Sequence, residues 1–142
     1  MSKNLNSPIT VEILINSDLQ TVWDYFTKPE YITKWNFASA DWECSKASND
    51  LRVGGKFSST MAARDDSASF DFEGIYDEVE LYKSIKYHLG DERKVSVTFE
   101  EVSGGVKVTT VFDPETDNPM EMQIGGWQAI LDNFKKCLEN KL

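Results

Sequence analysis

Apolar and polar positions alternate along much of this chain, and where alternation stops they fall into helical stripes. In PITVEILINS, residues 8–17, Val11, Ile13 and Ile15 alternate with Thr10, Glu12 and Asn16, the period-2 sign of a strand with one buried face. Leu14 breaks the polar side. Ser17 with Gln20 three residues on has capping-box spacing, which predicts a helix start. Leu19, Val22, Trp23 and Phe26 then recur at i, i+3, i+4 and i+7, one buried helix face. Pro29 interrupts. Because proline suits a first helical turn, 29–35 reads as a second short helix.

The middle of the chain reads as strands over 42–47, 56–64, 69–81, 83–89, 93–102 and 106–112. Turn chemistry separates them at Asp65-Asp66-Ser67, Gly90-Asp91-Glu92 and Gly104-Gly105. Strands this long with short turns predict an antiparallel meander. At the end, Asn118, Pro119 and Glu121 supply a cap, a first-turn proline and a capping-box partner. Met120, Ile124, Trp127, Leu131, Phe134 and Leu138 then form one apolar stripe over a long helix, 118–140. Lys135, Lys136 and Lys141 stand near its C-terminus, where cations favour the helix dipole.

These elements define an α+β fold: a strongly curved antiparallel sheet of about six or seven strands around a long C-terminal helix, with two short helices after the first strand. One helix does not fill the concavity of such a sheet. The remaining space takes either large side chains or a ligand. Gly125 and Gly126 lie inside the helical stripe, where each costs about 1 kcal/mol relative to alanine. A local kink, close approach of the sheet, and room for a ligand are the three explanations.

Composition narrows the class. The 142 residues suit one domain, 1–142. Apolar residues at 40%, with four Trp, five Tyr and eight Phe, exclude a disordered chain. Net charge is −9 with Lys and Arg scattered, which argues against nucleic-acid partners and anionic membranes. No apolar run approaches the ~20 residues of a membrane helix, and residues 1–8 lack a signal-peptide core, so the expected location is cytoplasmic. Cys44 and Cys137 are then expected to be free thiols. No Cys-x-x-Cys or His-x-x-x-His is present, so neither a metal nor any other cofactor is expected.

Catalytic chemistry is sparse. His88, in KYHLG, is the only imidazole and falls on the outward parity beside Tyr87. The acidic pairs Asp65-Asp66, Asp91-Glu92 and Glu100-Glu101 fall at turns or strand ends and read as solvated surface. What remains is an apolar cavity with a few polar groups, the general character of a small-molecule site. Its candidates lie on inward parities: Phe57, Ser59 and Met61 on one strand, Phe72 and Tyr76 on the next. Tyr87, Phe99 and Thr110 follow on later strands. The helix adds Gln123, Trp127 and Ile130. Ordinary core packing also explains each of these singly. A buried Tyr or Trp needs a partner for its polar tip, so Tyr76, Tyr87 and Trp127 are the candidates to orient a ligand.

The order of elements, with VWDYFTKPEYITKW at 22–35, VGGKF at 53–57, FDFEGIYDEV at 70–79, KVSVTFEEV at 94–102 and MQIGGWQAILDNF at 122–134, resembles the START/Bet v-type helix-grip superfamily (SRPBCC). Within it the chain looks like bacterial homologues of the C-terminal domain of the activator of the heat-shock-protein-ninety ATPase. The GGWQAIL run after TDNPMEMQ is the most specific segment. Relatives usually carry a Trp-rich loop before the second strand. Here Trp35 and Trp42 flank an ordinary NFASAD. The resemblance implies a hydrophobic pocket between sheet and helix, which in relatives holds lipids, polyketides or other apolar ligands. Three readings follow. The first is a binder of a small hydrophobic or aromatic molecule. The second is a co-chaperone-like module that contacts a chaperone or another protein in stress response. The third is a cyclase or hydrolase of hydrophobic substrates.

Overall fold

A computed structural model describes residues 7–140. In chain order the elements are β1 (Ile9–Ile15), α1 (Leu19–Thr27), α2 (Pro29–Ile32), β2 (Trp42–Asn49), β3 (Lys56–Ala63), β4 (Ser69–Glu80), β5 (Ser84–Leu89), β6 (Lys94–Val102), β7 (Gly105–Phe112) and α3 (Met120–Asn140). The strands form one antiparallel seven-stranded sheet in the order β1-β7-β6-β5-β4-β3-β2. Strands β2 to β7 are consecutive hairpins, and β1 closes onto β7 with Val11 opposite Thr110 and Ile15 opposite Val106. This is the α+β helix-grip architecture that the hydrophobic pattern predicts.

Several boundaries differ from the sequence reading, each for a local reason. Helix α1 is capped by Asp18, not Ser17: its carboxylate accepts from the Thr21 backbone N–H at 3.2 Å and the Thr21 hydroxyl at 2.6 Å. A charged acceptor at the positive end of the helix dipole outcompetes a hydroxyl one residue earlier. Helix α2 stops at Ile32, and the Trp35 N–H bonds back to the Ile32 carbonyl in a closing turn. Strand β2 runs two residues past the expected end because Ser48 and Asn49 pair with Ser58 and Phe57. Helix α3 begins at Met120, while the Asn118 amide donates to the Glu115 carboxylate at 2.9 Å.

Burial along α3 is asymmetric. Leu131, Phe134, Cys137 and Leu138 are buried, whereas Met122 and Ile124 are exposed. The C-terminal half joins an aromatic plug in which Phe134 meets Trp35 at 4.8 Å and Phe26 at 5.4 Å, both edge-on. Trp23 and Phe26 of α1 in turn pack edge-on against Phe99 of β6. Three side chains of α3 also reach the free edge of β1. Gln128 donates to the Glu12 carbonyl at 3.2 Å, Lys135 donates to the Leu14 carbonyl at 2.7 Å, and Glu139 accepts from the Asn16 N–H at 3.0 Å. These bonds satisfy an edge that is otherwise open to pairing with another chain. They tie the helix to the β1 end of the sheet and leave the β3–β5 wall facing open space.

Cys44 and Cys137 are both buried and form no disulfide, as expected. Burial pushes both thiols above their ordinary range. Alkylation near pH 8 should therefore be slow on the folded protein and should label two thiols once denaturant is added. Rapid labelling of either thiol in the native state contradicts the packing.

Candidate functional site

Between the concave face of the sheet and the N-terminal half of α3 lies a cavity of about 230 Å³. Strand alternation builds its wall: the same pleat that turns Lys56, Glu73 and Lys86 to solvent turns their neighbours inward. Phe57, Ser59 and Met61 of β3 line it, as do Phe72 and Tyr76 of β4. So do Tyr87 of β5, Thr110 of β7, and Trp127 and Ile130 of α3. The rings touch one another. Phe57 stands edge-on to Tyr87 at 4.7 Å and tilted to Tyr76 at 5.4 Å, and Trp127 stacks on Phe112 at 4.2 Å.

Gly74 makes this packing possible. A Cβ there would sit 2.7 Å from the Phe57 ring. The paired glycines of α3 show the opposite: a Cβ at Gly125 or Gly126 meets nothing within 4 Å. Close approach of the sheet is therefore not their reason. The helix runs unbroken through them; Gly125 is exposed and Gly126 half-buried, and neither lines the cavity, although Gly126 lies one turn before Ile130, which does.

Two sequence candidates lie off the cavity. Phe99 sits beneath α1, enclosed by Trp23 and Phe26, because α1 crosses that end of β6. Gln123 is buried, but its side chain clamps the loop before α3. Its amide donates to the Glu115 and Asn118 carbonyls at 3.0 and 2.9 Å, and its carbonyl accepts from the Glu115 N–H at 2.9 Å.

Other lining residues escaped the sequence reading. Phe26, Thr27, Ile32 and Trp35 close one end from the two short helices. Asn49, at the end of β2, is the polar hinge of that end. Its amide donates to the Thr27 carbonyl at 2.6 Å, and its side-chain oxygen accepts from the Tyr76 hydroxyl. Burial raises the Tyr76 phenol well above its ordinary range, so it stays a donor. Asn49→Ala orphans both partners and should cost about 1–3 kcal/mol in urea unfolding. A loss below about 0.5 kcal/mol would show that water replaces the amide freely.

His88 lies on the outer face, with Nδ1 2.8 Å from Asp77 Oδ1. Asp77 occupies a β-bulge between Tyr76 and Glu78, which turns it toward the imidazole. Neither residue reaches the cavity. Among the described residues no cluster of three metal-ligating side chains occurs, and no helix is long and apolar enough to cross a membrane.

A curved seven-stranded sheet gripping a C-terminal helix over an apolar cavity defines a helix-grip protein. The family model for "Activator of Hsp90 ATPase homolog 1-like protein" matches residues 16–139, and the chain belongs to that family. It is similar to the AHSA1-like protein of Aeromonas hydrophila, with 40% identity, coverage of 94% of this chain and 93% of that one, and a TM-score of 0.89. A protein of Cytophaga hutchinsonii shares 46% identity over 94% and 92% of the two chains, with a TM-score of 0.80. A protein of Nitrosomonas europaea, at 19% identity, 95% and 96% coverage and a TM-score of 0.81, shares the fold. No curated protein matches the chain. The family supports, in general terms, a ligand-binding or co-chaperone-like use of the fold.

Proposed function

We propose that this protein binds a small apolar or aromatic molecule between the sheet and α3. The observation that carries this reading is a cavity of about 230 Å³ walled almost entirely by aromatic and aliphatic carbon. An apolar cavity of about 150 Å³ already stays dry and takes up benzene, so this larger one has room for a ring system. The contacts fall to Phe57, Ser59, Met61, Phe72, Tyr76, Tyr87, Thr110, Trp127 and Ile130. Two buried thiols that form no disulfide fit a reducing, cytoplasmic location.

The co-chaperone-like reading needs an apolar docking face. The exposed large apolar residues Leu14, Val53, Phe70, Ile75, Leu81, Val102, Met122 and Ile124 are spread over three strands, two loops and α3, which favours the binder. The test is a titration with small aromatic compounds followed by amide and methyl chemical shifts. Shifts should cluster at the Met61, Ile85 and Ile130 methyls and the Trp127 indole. If millimolar aromatics leave these unmoved while a chaperone perturbs the outer surface, the co-chaperone reading replaces this one.

A further inference from the structure

We infer that the occupant of this cavity is uncharged and carries a hydrogen-bond acceptor that meets the Tyr87 hydroxyl. The inference rests on the binding reading above and specifies its chemistry.

The first observation is electrostatic. Among the described residues no Asp, Glu, Lys, Arg or His lines the cavity, and the Arg93 guanidinium, whose charge reaches the Tyr87 phenol, is already paired with Asp91 at 2.7 Å. An ionised carboxylate or ammonium that enters gives up hydration and finds no unpaired counter-charge on the lining side chains, a loss that far exceeds what apolar contact returns. The Asp77–His88 pair and the lysines of β5 and β6 lie on the opposite face of the sheet. A charged end must therefore stay outside, in water.

The second observation concerns the hydroxyls. The polar groups at the helical end are already engaged: Tyr76 and Asn49 with each other, Asn49 with Thr27, and the Trp35 indole N–H with the Tyr25 carbonyl at 2.8 Å. Tyr87 and Thr110 are only 9% and 4% exposed, and no hydrogen bond within the protein is among the influences on the Tyr87 phenol. Every sealed side-chain nitrogen or oxygen among the described residues does have a hydrogen-bond partner. Both residues line the cavity, so an entering group can reach them from there. Burial raises the Tyr87 phenol well above its ordinary range, so it presents a proton to whatever enters. The Phe57 ring, edge-on at 4.7 Å, fixes the phenol in place. Thr110 stands two strands away, roughly 10 Å along the wall, as a second polar point.

The experiment compares three probes built on one ring system: naphthalene, 2-naphthamide and 2-naphthoate. Each is titrated into the wild type, Tyr87→Phe and Thr110→Val at neutral pH. In the wild type the amide should bind more tightly than naphthalene, and naphthoate at least about 100-fold more weakly than the amide. Naphthoate binding should recover as the pH falls and its carboxyl protonates. Tyr87→Phe should weaken the amide by about 3- to 10-fold and leave naphthalene unchanged. Thr110→Val should have a smaller effect of the same kind. Near-ultraviolet circular dichroism confirms that each variant is folded. Naphthoate binding as tightly as the amide, or Tyr87→Phe weakening naphthalene and the amide alike, overturns the inference while leaving the binding reading intact. Failure of all three probes to bind overturns both.

Discussion

Gly126→Leu should weaken uptake of aromatic ligands at least about tenfold while leaving the fold intact and slightly more stable. A Cβ at this position meets no atom within 4 Å, and the backbone is not left-handed, so leucine enters without strain. Replacing a helical glycine by leucine favours the helix by about 0.5–1 kcal/mol. Gly126 shares a helix row with Ile130, which lines the cavity, so a leucine there is expected to reach toward the space that a ligand would use. Affinity for a naphthalene-sized probe should fall at least about tenfold, equivalent to roughly 1.4 kcal/mol. Paired calorimetric titration and thermal melts read both quantities. Unchanged affinity in a folded variant would mean that the glycines serve something other than the cavity.

The largest loss of stability should follow Phe134→Ala. Phe134 is fully buried and makes edge-on contacts with Phe26 and Trp35, so it joins α3 to both short helices. Truncating a buried phenylalanine costs about 3–5 kcal/mol, from lost transfer energy and from the void left behind. Urea unfolding of the variant should show that loss with little change in slope. A loss below about 1 kcal/mol would mean that α1 and α3 collapse freely into the gap, and that the aromatic plug is not a rigid end wall.

How far the sequence carried these conclusions differs between fold and site. The alternation of Val95, Val97 and Phe99, and of Val106, Val108, Thr110 and Phe112, states which face of each strand is inside, and burial follows it. The stripe predicted from Met120 to Leu138 states the inner face of α3 from Trp127 onward, but its first turns are not buried, and Ile124 is exposed. Parity tells inside from outside, but not which part of the inside stays open. Phe99 and Val97 share a parity, yet α1 covers only Phe99, while Val97 lines the cavity. Gln123 has the position of an inner-face residue, but the loop at 115–118 folds against it. Asn49 was invisible because a polar residue at a strand end looks like turn chemistry until its partners Thr27 and Tyr76 are placed. The glycine pair was ambiguous for a similar reason. Sequence shows that two side chains are missing, and only the packing shows that nothing replaces them.

The most direct test of the binding reading places a heavy atom in the cavity. Crystals soaked with iodobenzene should give an anomalous iodine peak within about 4 Å of the Phe57, Tyr87 or Trp127 side chains. The same soak of Gly126→Leu crystals should weaken that peak. Iodine sites confined to the outer surface, with Phe57, Phe72 and Trp127 closed over the space, would contradict the account.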